Sequence, residues 1–480
     1  IWLIDKSLTL RNHLMQQLDQ WQLNSAEAAI TKALLLGYRD EIDDELLGSY
    51  SATGATHVLA VSGLHVGIIY VVAGGLLFFL KGFRTGEIIR SVLLMLLLWG
   101  YALLTGLSPS VVRAATMFTF VAIGSNLQKK TSIYNTILVS AFLLLTIKPT
   151  YLFEVGFQLS YLAVFGIVWL QPRFEALLRP KTWVLRQLWA ITTVSIAAQI
   201  TTFPMGLYYF HQFPGLFLVS NIMVIPLVTL LMYIGLAILV LQLQFDLWQP
   251  LLYLYHTLLQ LMNTGVRWVE TFDSFLWNQI HISRIELVVF YLLIGFFFTW
   301  LFKGGLRKLT MVLVLAVGLM AFQLMEESGL KKWSETVIYN TSKGPAIGVY
   351  QNNKGVLLAD SALFMDNDAL TFHVKHHWWA MNIDAVKMFD LSMEVKNEMV
   401  VKRENFIQTA QRSIFLYRNK YNTMPADVWL INEFCYPPDS MRQVNSLIFT
   451  KKYLNHEAWR NWCRNLEMKV IFLEEGAVVL

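Results

Sequence analysis

His57, Ser62 and His65 stand within Thr53-Gly-Ala-Thr-His-Val-Leu-Ala-Val-Ser-Gly-Leu-His-Val-Gly67, a run that opens an apolar stretch reaching Leu80. A histidine or hydroxyl placed against hydrocarbon loses its water and needs an internal partner. Such residues mark a path, a pore or a tight helix contact. On a helix Ser62 and His65 share a face, and Gly63 and Gly67 form a small-xxx-small pair that admits a second backbone. His65 is therefore either satisfied across a helix contact or faces a polar passage. No acid in the run orients the histidine, so a Ser-His-acid nucleophile is unsupported.

Further basic and amide groups follow. In Leu107-Ser-Pro-Ser-Val-Val-Arg-Ala, Ser108 is a candidate N-cap and Pro109 a first helical residue, which places Arg113 about one turn inside an apolar segment. A centrally buried arginine costs about 2.5–3.5 kcal/mol on insertion scales. Arg113 is expected to meet a partner or water, unless it snorkels to the interface. Glu154, just before the next polar run, is its candidate counter-charge. Gln158 and Ser160 lie in Phe157-Gln-Leu-Ser-Tyr161, and further polar interruptions occur from Gln199 to Thr202 and at Asn221. Each alone reads as helix glue; together they read as a polar lining.

The elements that must position these groups are membrane helices. The 480-residue chain is 55% hydrophobic and 15% charged, with a mean hydropathy of +0.47, which excludes a single water-soluble core. A net charge of +5 does not by itself point to nucleic acid. The fold class expected is a polytopic α-helical membrane protein of about ten membrane segments, some broken or re-entrant, with a small C-terminal mixed α/β domain. The head covers residues 1–50, the membrane body 51–330 and the tail 331–480. The head reads as interfacial or packed helices, with a capping box at Asn24 and Glu27 and a stop at Gly37.

Segments are expected at Val58–Leu80, Ile88–Leu107, Val111–Ile123, Ile133–Ile147, Val155–Leu170, Trp189–Tyr209, Leu216–Leu241, Leu251–Val269, Ile285–Phe302 and Leu309–Met325. The segment from Leu251 carries His256, Gln260, Asn263 and Arg267, a polarity that hints at an internal cavity. Basic clusters follow odd-numbered segments: Lys81, Arg84 and Arg90; Lys129 and Lys130; Arg173, Arg179, Lys181 and Arg186; Lys303, Arg307 and Lys308. Lys and Arg collect in the cytoplasm, so head and tail are both expected outside it. The chain opens at Ile1 without methionine, and an upstream portion is expected.

The tail shows short β-type runs at Thr336–Tyr339, Ala346–Tyr350, Gly355–Ala359, Thr371–Val374, Asp427–Ile431 and Val470–Leu473, with a helical pattern from His456 to Leu466. Cys435 and Cys463 are either core residues or one disulfide. His373-Val-Lys-His376-His377 sits on or beside an expected strand and has no aspartate to complete a metal set, and His456-Glu-Ala-Trp-Arg460 has arginine where a zincin helix needs its second histidine. No metal, cofactor or catalytic set is expected.

The blocks His57-Val-Leu-Ala-Val-Ser-Gly-Leu-His65-Val-Gly67, Pro109-Ser-Val-Val-Arg113-Ala, Phe157-Gln-Leu-Ser-Tyr-Leu-Ala-Val-Phe-Gly166-Ile and Thr201-Thr-Phe-Pro204 stand in the order typical of the ComEC competence-protein family. The resemblance covers about Ser25 to Gly305. It implies a channel in the bacterial inner (cytoplasmic) membrane that passes single-stranded DNA during natural transformation. His57, Ser62, Gly63, His65, Gly67, Arg113, Gln158 and Ser160 are then candidates for the DNA path. It also implies an extracytoplasmic DNA receptor and a cytoplasmic ATPase or strand-binding protein, and the chain has no phosphate loop of its own. Many members end in a metallo-β-lactamase-like domain with a His-x-His-x-Asp-His run. This tail lacks the run, and a shortened, ligand-free relative of that domain is expected. Two other classes stay open: a secondary transporter of a small solute, which would show an internal repeat, and a membrane-embedded hydrolase.

Overall fold

In the computed structural model the chain divides into two compact units, Ile1–Ile294 and Gly295–Leu480. The structure describes all residues except 1, 84, 127–131, 243–248, 279, 331–333, 342, 352, 382, 384, 418–423, 432–443, 450–468, 473–476 and 480. Arg84, Lys129, Lys130, Cys435, Cys463 and the His456–Leu466 pattern lie outside the described residues.

The helices of the first unit are α1 (Trp2–Asp19), α2 (Ser25–Leu36), α3 (Asp44–Ala52), α4 (Thr56–Leu59), α5 (Gly63–Leu76), α6 (Gly86–Leu104), α7 (Pro109–Asn126), α8 (Ile133–Ile147), α9 (Val155–Glu175), α10 (Trp183–Phe210), α11 (Phe217–Gln242) and α12 (Gln249–Glu270). Helix α13 (Arg284–Lys303) crosses the boundary between the units, and α14 (Leu306–Leu330) follows it. Among the described residues, α6, α9, α10, α11, α13 and Leu306–Met325 of α14 are long and apolar enough to span a bilayer. Shorter apolar helices are Gly63–Leu76, Pro109–Gly124 and Ile133–Ile147. The chain is thus a multi-pass membrane protein, with six candidate spans of full length and three shorter apolar helices among the described residues.

Two of the expected segments differ for identifiable reasons. Val58–Leu80 is no single helix: α4 ends at Leu59, and Ala60 turns to extended backbone with ψ 128° before α5 begins at Gly63. Helix α12 turns two of its polar side chains toward the head. His256 Nδ1 lies 3.0 Å from the buried Glu27 carboxylate, and Tyr50 donates to Asn263 at 2.8 Å. Trp21, Ile30, Leu34 and Tyr50 of the head share one core with Val228, Leu231, Tyr255 and Leu259. The head is packed, as the second of the two sequence readings had it. Its capping box forms as the spacing requires, with Asn24 accepting from the Glu27 N–H at 2.9 Å.

In the first unit β1 (Phe213–Pro214) pairs antiparallel with β2 (Leu276–Trp277) over two residues. The second unit holds β3 (Ser334–Thr341), β4 (Gly344–Gln351), β5 (Lys354–Ala359), β6 (Ala385–Asp390), β7 (Val395–Lys396), β8 (Val400–Arg403), β9 (Phe406–Thr409), β10 (Ser413–Tyr417), β11 (Ala426–Ile431), β12 (Val444–Phe449), β13 (Lys469–Phe472) and β14 (Ala477–Val479). They form a five-stranded sheet in the order β14-β3-β4-β5-β6 and a seven-stranded sheet in the order β13-β12-β11-β10-β9-β8-β7. Alternation decides the layers. Ile338, Ile347 and Val356 of one sheet meet Ile414, Val428 and Ile448 of the other, while Val337, Tyr339 and Tyr350 turn outward onto Leu363, Val374 and Trp378. Strands buried on both faces need no polar alternation, which is why they read as continuous apolar runs. Thr371–Val374 is not a strand but a π-helical turn, Thr371–Lys375, packed as part of that outer helical layer.

Candidate functional site

The break before α5 sets the first part of the site. Ser62 is the N-cap of α5, its Oγ accepting from the Leu64 N–H at 3.2 Å, and His65 occupies the third helical position. The Ser62 N–H donates to His65 Nδ1 at 3.2 Å, with the Ser62 hydroxyl 3.1 Å from the same nitrogen. The imidazole thus plays the part a glutamate plays in an ordinary capping box. An Nδ1 that accepts from a backbone amide assigns the proton of the neutral ring to Nε2. That N–H is buried and has no hydrogen-bond partner among the described residues. His65 itself is 1% exposed.

Helix α7 supplies the cation. Pro109 is its first residue, but Ser108 caps through its carbonyl, which accepts from Val111 and Val112 at 3.0 Å; its hydroxyl is buried without a partner among the described residues. Arg113 is 5% exposed, so it does not snorkel. Its Nε donates to Ser160 Oγ of α9 at 2.6 Å, its Nη1 reaches Met117 Sδ at 3.3 Å, and its guanidinium carbon lies 5.7 Å from the centre of the Tyr161 ring. Tyr161 is held in turn by Ser140 of α8, oxygen to oxygen 2.9 Å. Gly63 completes the seat: a Cβ there would lie 3.0 Å from Arg113 Nη2. Sequence-distant residues of α5, α7, α8 and α9 therefore converge on one guanidinium.

The expected counter-charge is elsewhere. Glu154 binds Lys148 at 2.7 Å, and among the described residues no carboxylate pairs with Arg113. Lys148 follows α8 at the start of a tight turn and outcompetes the arginine by proximity along the chain. Gln158 is also drawn away, donating to the Leu152 carbonyl at 2.7 Å while its Oε1 is buried and unpartnered among the described residues. His57 is exposed and its Nδ1 lies 3.1 Å from the Gly54 carbonyl. No heavy atom of the described residues lies within 4 Å of a Cβ built on Gly67, so only Gly63 of the glycine pair permits a close approach. The structure groups Ser62, Gly63, His65, Arg113 and Ser160; it gives Glu154, Gln158, His57 and Gly67 other surroundings.

Ser140 was not legible as a site residue, because a lone serine in an apolar helix carries no distinctive spacing. Tyr161 stood in the polar run yet had no role until Arg113 was seen over its ring. The other conspicuous motifs are structural. Thr201 donates to the Leu162 carbonyl at 2.8 Å, and a Cβ on Gly166 would collide with Thr201 and the Ala197 carbonyl, which fixes the α9–α10 seam. In the second unit His377 Nδ1 lies 2.5 Å from the Tyr339 hydroxyl. No three His, Cys, Asp or Glu side chains are grouped for a metal among the described residues.

Comparison with known proteins gives two family matches, the competence protein family over residues 34–304 and the ComEC C-terminal domain over residues 336–479. The chain is 35% identical over 224 residues to "ComE operon protein 3" of Bacillus subtilis (strain 168), a match covering 47% of this chain and 27% of that protein. The chain thus spans about a quarter of the length of that curated relative. No solved structure matches.

Proposed function

This chain belongs to the competence protein family, and from that premise we propose that it is the conduit by which single-stranded DNA crosses the bacterial inner membrane during transformation, with Arg113 as a phosphate contact in its wall. One observation carries the reading: a guanidinium 5% exposed, held by a serine and an aromatic ring and paired with no carboxylate among the described residues. A buried cation without an anion is costly, and a passing phosphate is the group that offsets the cost. The requirement is mutual, since an ion taken into a low-dielectric medium faces an idealised penalty of order 20 kcal/mol. The Ser160 hydroxyl adds a neutral donor beside the charge.

The site is shallow. Arg113 is five residues into α7 and Ser160 six into α9, about 6–8 Å from the helix starts at 1.5 Å per residue. The Ser108–Ser110 loop carries no Lys or Arg, and in this reading it faces outward, so the contact serves entry. Head and tail then both lie outside the cytoplasm. A receptor outside presents the strand, and a cytoplasmic ATPase or strand-binding protein draws it in. The chain in this account conducts and does not cut. The test is uptake of labelled DNA by cells carrying Arg113→Gln and Arg113→Lys, with membrane levels of each protein measured. We expect Arg113→Gln to lower uptake about tenfold or more, equivalent to about 1.4 kcal/mol of interaction free energy. Arg113→Lys should lie between it and the parent, keeping charge without the planar donor fork. Undiminished uptake with Arg113→Gln at normal abundance would refute the assignment.

A further inference from the structure

A second basic site, in the head, belongs to none of the motifs. An open cleft of about 450 Å³ is lined by Arg11, Tyr38, Arg39, Asp40, Ile42 and Leu47, with Gly37 at its base. That volume falls in the range of about 300–1,000 Å³ usual for small-ligand sites. Arg11 is held in place over the Tyr38 ring, 5.7 Å from its centre, and its Nε is buried with no hydrogen-bond partner among the described residues. Arg39 is exposed and forms no ion pair among the described residues. The neighbouring acids are mostly consumed: Asp19 and Glu41 both bind Lys32, at 2.8 and 2.7 Å. Asp40 alone opposes the two guanidinium groups among the described lining residues.

The place of the cleft connects it to Arg113. Gly37, at φ +72°, ends α2, and a Cβ there would lie 2.9 Å from Val61 and 3.0 Å from Thr105. Val61 precedes Ser62 and Gly63, and Thr105 opens the loop that enters α7 at Pro109. A Cβ on Gly106 would lie 4.0 Å from Arg11 Nη1. The base of the cleft is therefore built on the two loops that position the Arg113 site.

We propose that the Arg11–Arg39 cleft binds a phosphodiester group of single-stranded DNA next to the Arg113 contact. The assignment rests on the DNA-conduit reading above. A guanidinium fixed on an aromatic face offers planar donors suited to phosphate, and Tyr38 offers a surface on which a base can stack. A polyanion can engage adjoining sites at once, whereas a lipid headgroup supplies one phosphate; the shared loops favour the strand.

The experiment uses the full chain in nanodiscs of zwitterionic phosphatidylcholine and a fluorescent oligothymidylate, with affinity measured against salt. Arg39→Gln and Arg11→Gln/Arg39→Gln should weaken binding severalfold. They should also reduce the slope of log affinity against log salt by about 0.7 for each phosphate that is no longer neutralised. Arg39→Lys should retain most of the slope, and Lys387→Gln, on the exposed face of β6, should change nothing. Unchanged affinity and slope in both cleft variants, with Arg113→Gln still weakened, would overturn the cleft and leave the conduit reading intact. If the parent protein itself binds no oligonucleotide, both fail together. If oligonucleotide binding is unaffected but the variants cease to enrich phosphatidylglycerol from mixed lipid, the occupant is a headgroup and the proposal is wrong. Arg39 is exposed, so its replacement leaves the packed core untouched and separates a binding defect from a folding defect.

Discussion

At the scale of single residues, the two glycines of the opening motif make opposite predictions. An alanine methyl at position 63 must displace Arg113 Nη2 from 3.0 Å, whereas one at position 67 meets nothing among the described residues. Gly63→Ala should therefore lower DNA uptake while the protein stays at its normal level. Gly67→Ala should leave uptake unchanged and stabilise α5 by up to about 1 kcal/mol through helix propensity. Uptake assays beside thermal melts of the two proteins check this; equal effects would show that Arg113 is not seated on Gly63. The residue types of the site were visible in the sequence, since a serine, a histidine and an arginine inside apolar runs stand out. Their geometry was not. Ser62 and His65 look like two residues of one helix face, and only the backbone turn at Ala60 makes the first a cap and the second its reciprocal partner. The Glu154 expectation failed for a simple reason: Lys148 lies six residues away in the chain, and a local pair outranks one formed across helices.

At the scale of elements, the strands legible in the sequence were those with unbroken apolar runs, such as Ala346–Tyr350 and Gly355–Ala359, which became β4 and β5. Short strands such as β7 and β8 carry too few residues for a pattern. Thr371–Val374 has β-type composition, but it is packed as a helical turn against Leu363 and Trp378. Beneath that layer the Tyr339 hydroxyl donates to that of Tyr350 at 2.8 Å, which also accepts from Trp378 Nε1 at 2.7 Å. Gly348 and Gly355 leave the slot for the Tyr350 ring, which a Cβ on either would strike. His377 adjoins this network, and burial pushes its pKa down to about 4. The unfolded chain, with an ordinary histidine near 6.5, then binds more protons below that value than the folded one. The stability of this sheet layer should be full above pH 6.5, fall as the pH drops toward about 4, and level off below. Pulse proteolysis of the full chain in urea, reading cleavage between β3 and β6 across that range, tests it. His377→Gln should flatten the pH dependence; an unaltered profile would show that His377 is not its source.

At the scale of the whole molecule, hydropathy was sufficient to establish a multi-pass helical body and a C-terminal β region, with six full-length candidate spans among the described residues. Helix α12 shows what hydropathy alone does not resolve. Its apolar face, with Tyr255, Leu259 and Met262, is buried against head helices that the sequence presents as a separate segment. Long-range pairs such as Trp21 with Gln242 and Tyr255 with Thr31 hold that arrangement and have no signature in local spacing. The compact units divide after Ile294, within α13. What the molecule does turns on whether its buried arginine serves a moving polyanion or only the packing of α5, α7 and α9. Flux through vesicles containing the purified full chain decides this most directly, with labelled single-stranded DNA and a small anion offered in competition under an imposed membrane potential. The account predicts entry of the strand, reduced about tenfold by Arg113→Gln, with the small anion failing to compete at equal charge concentration. Entry of the anion with exclusion of the strand, or strand entry indifferent to Arg113, would contradict it.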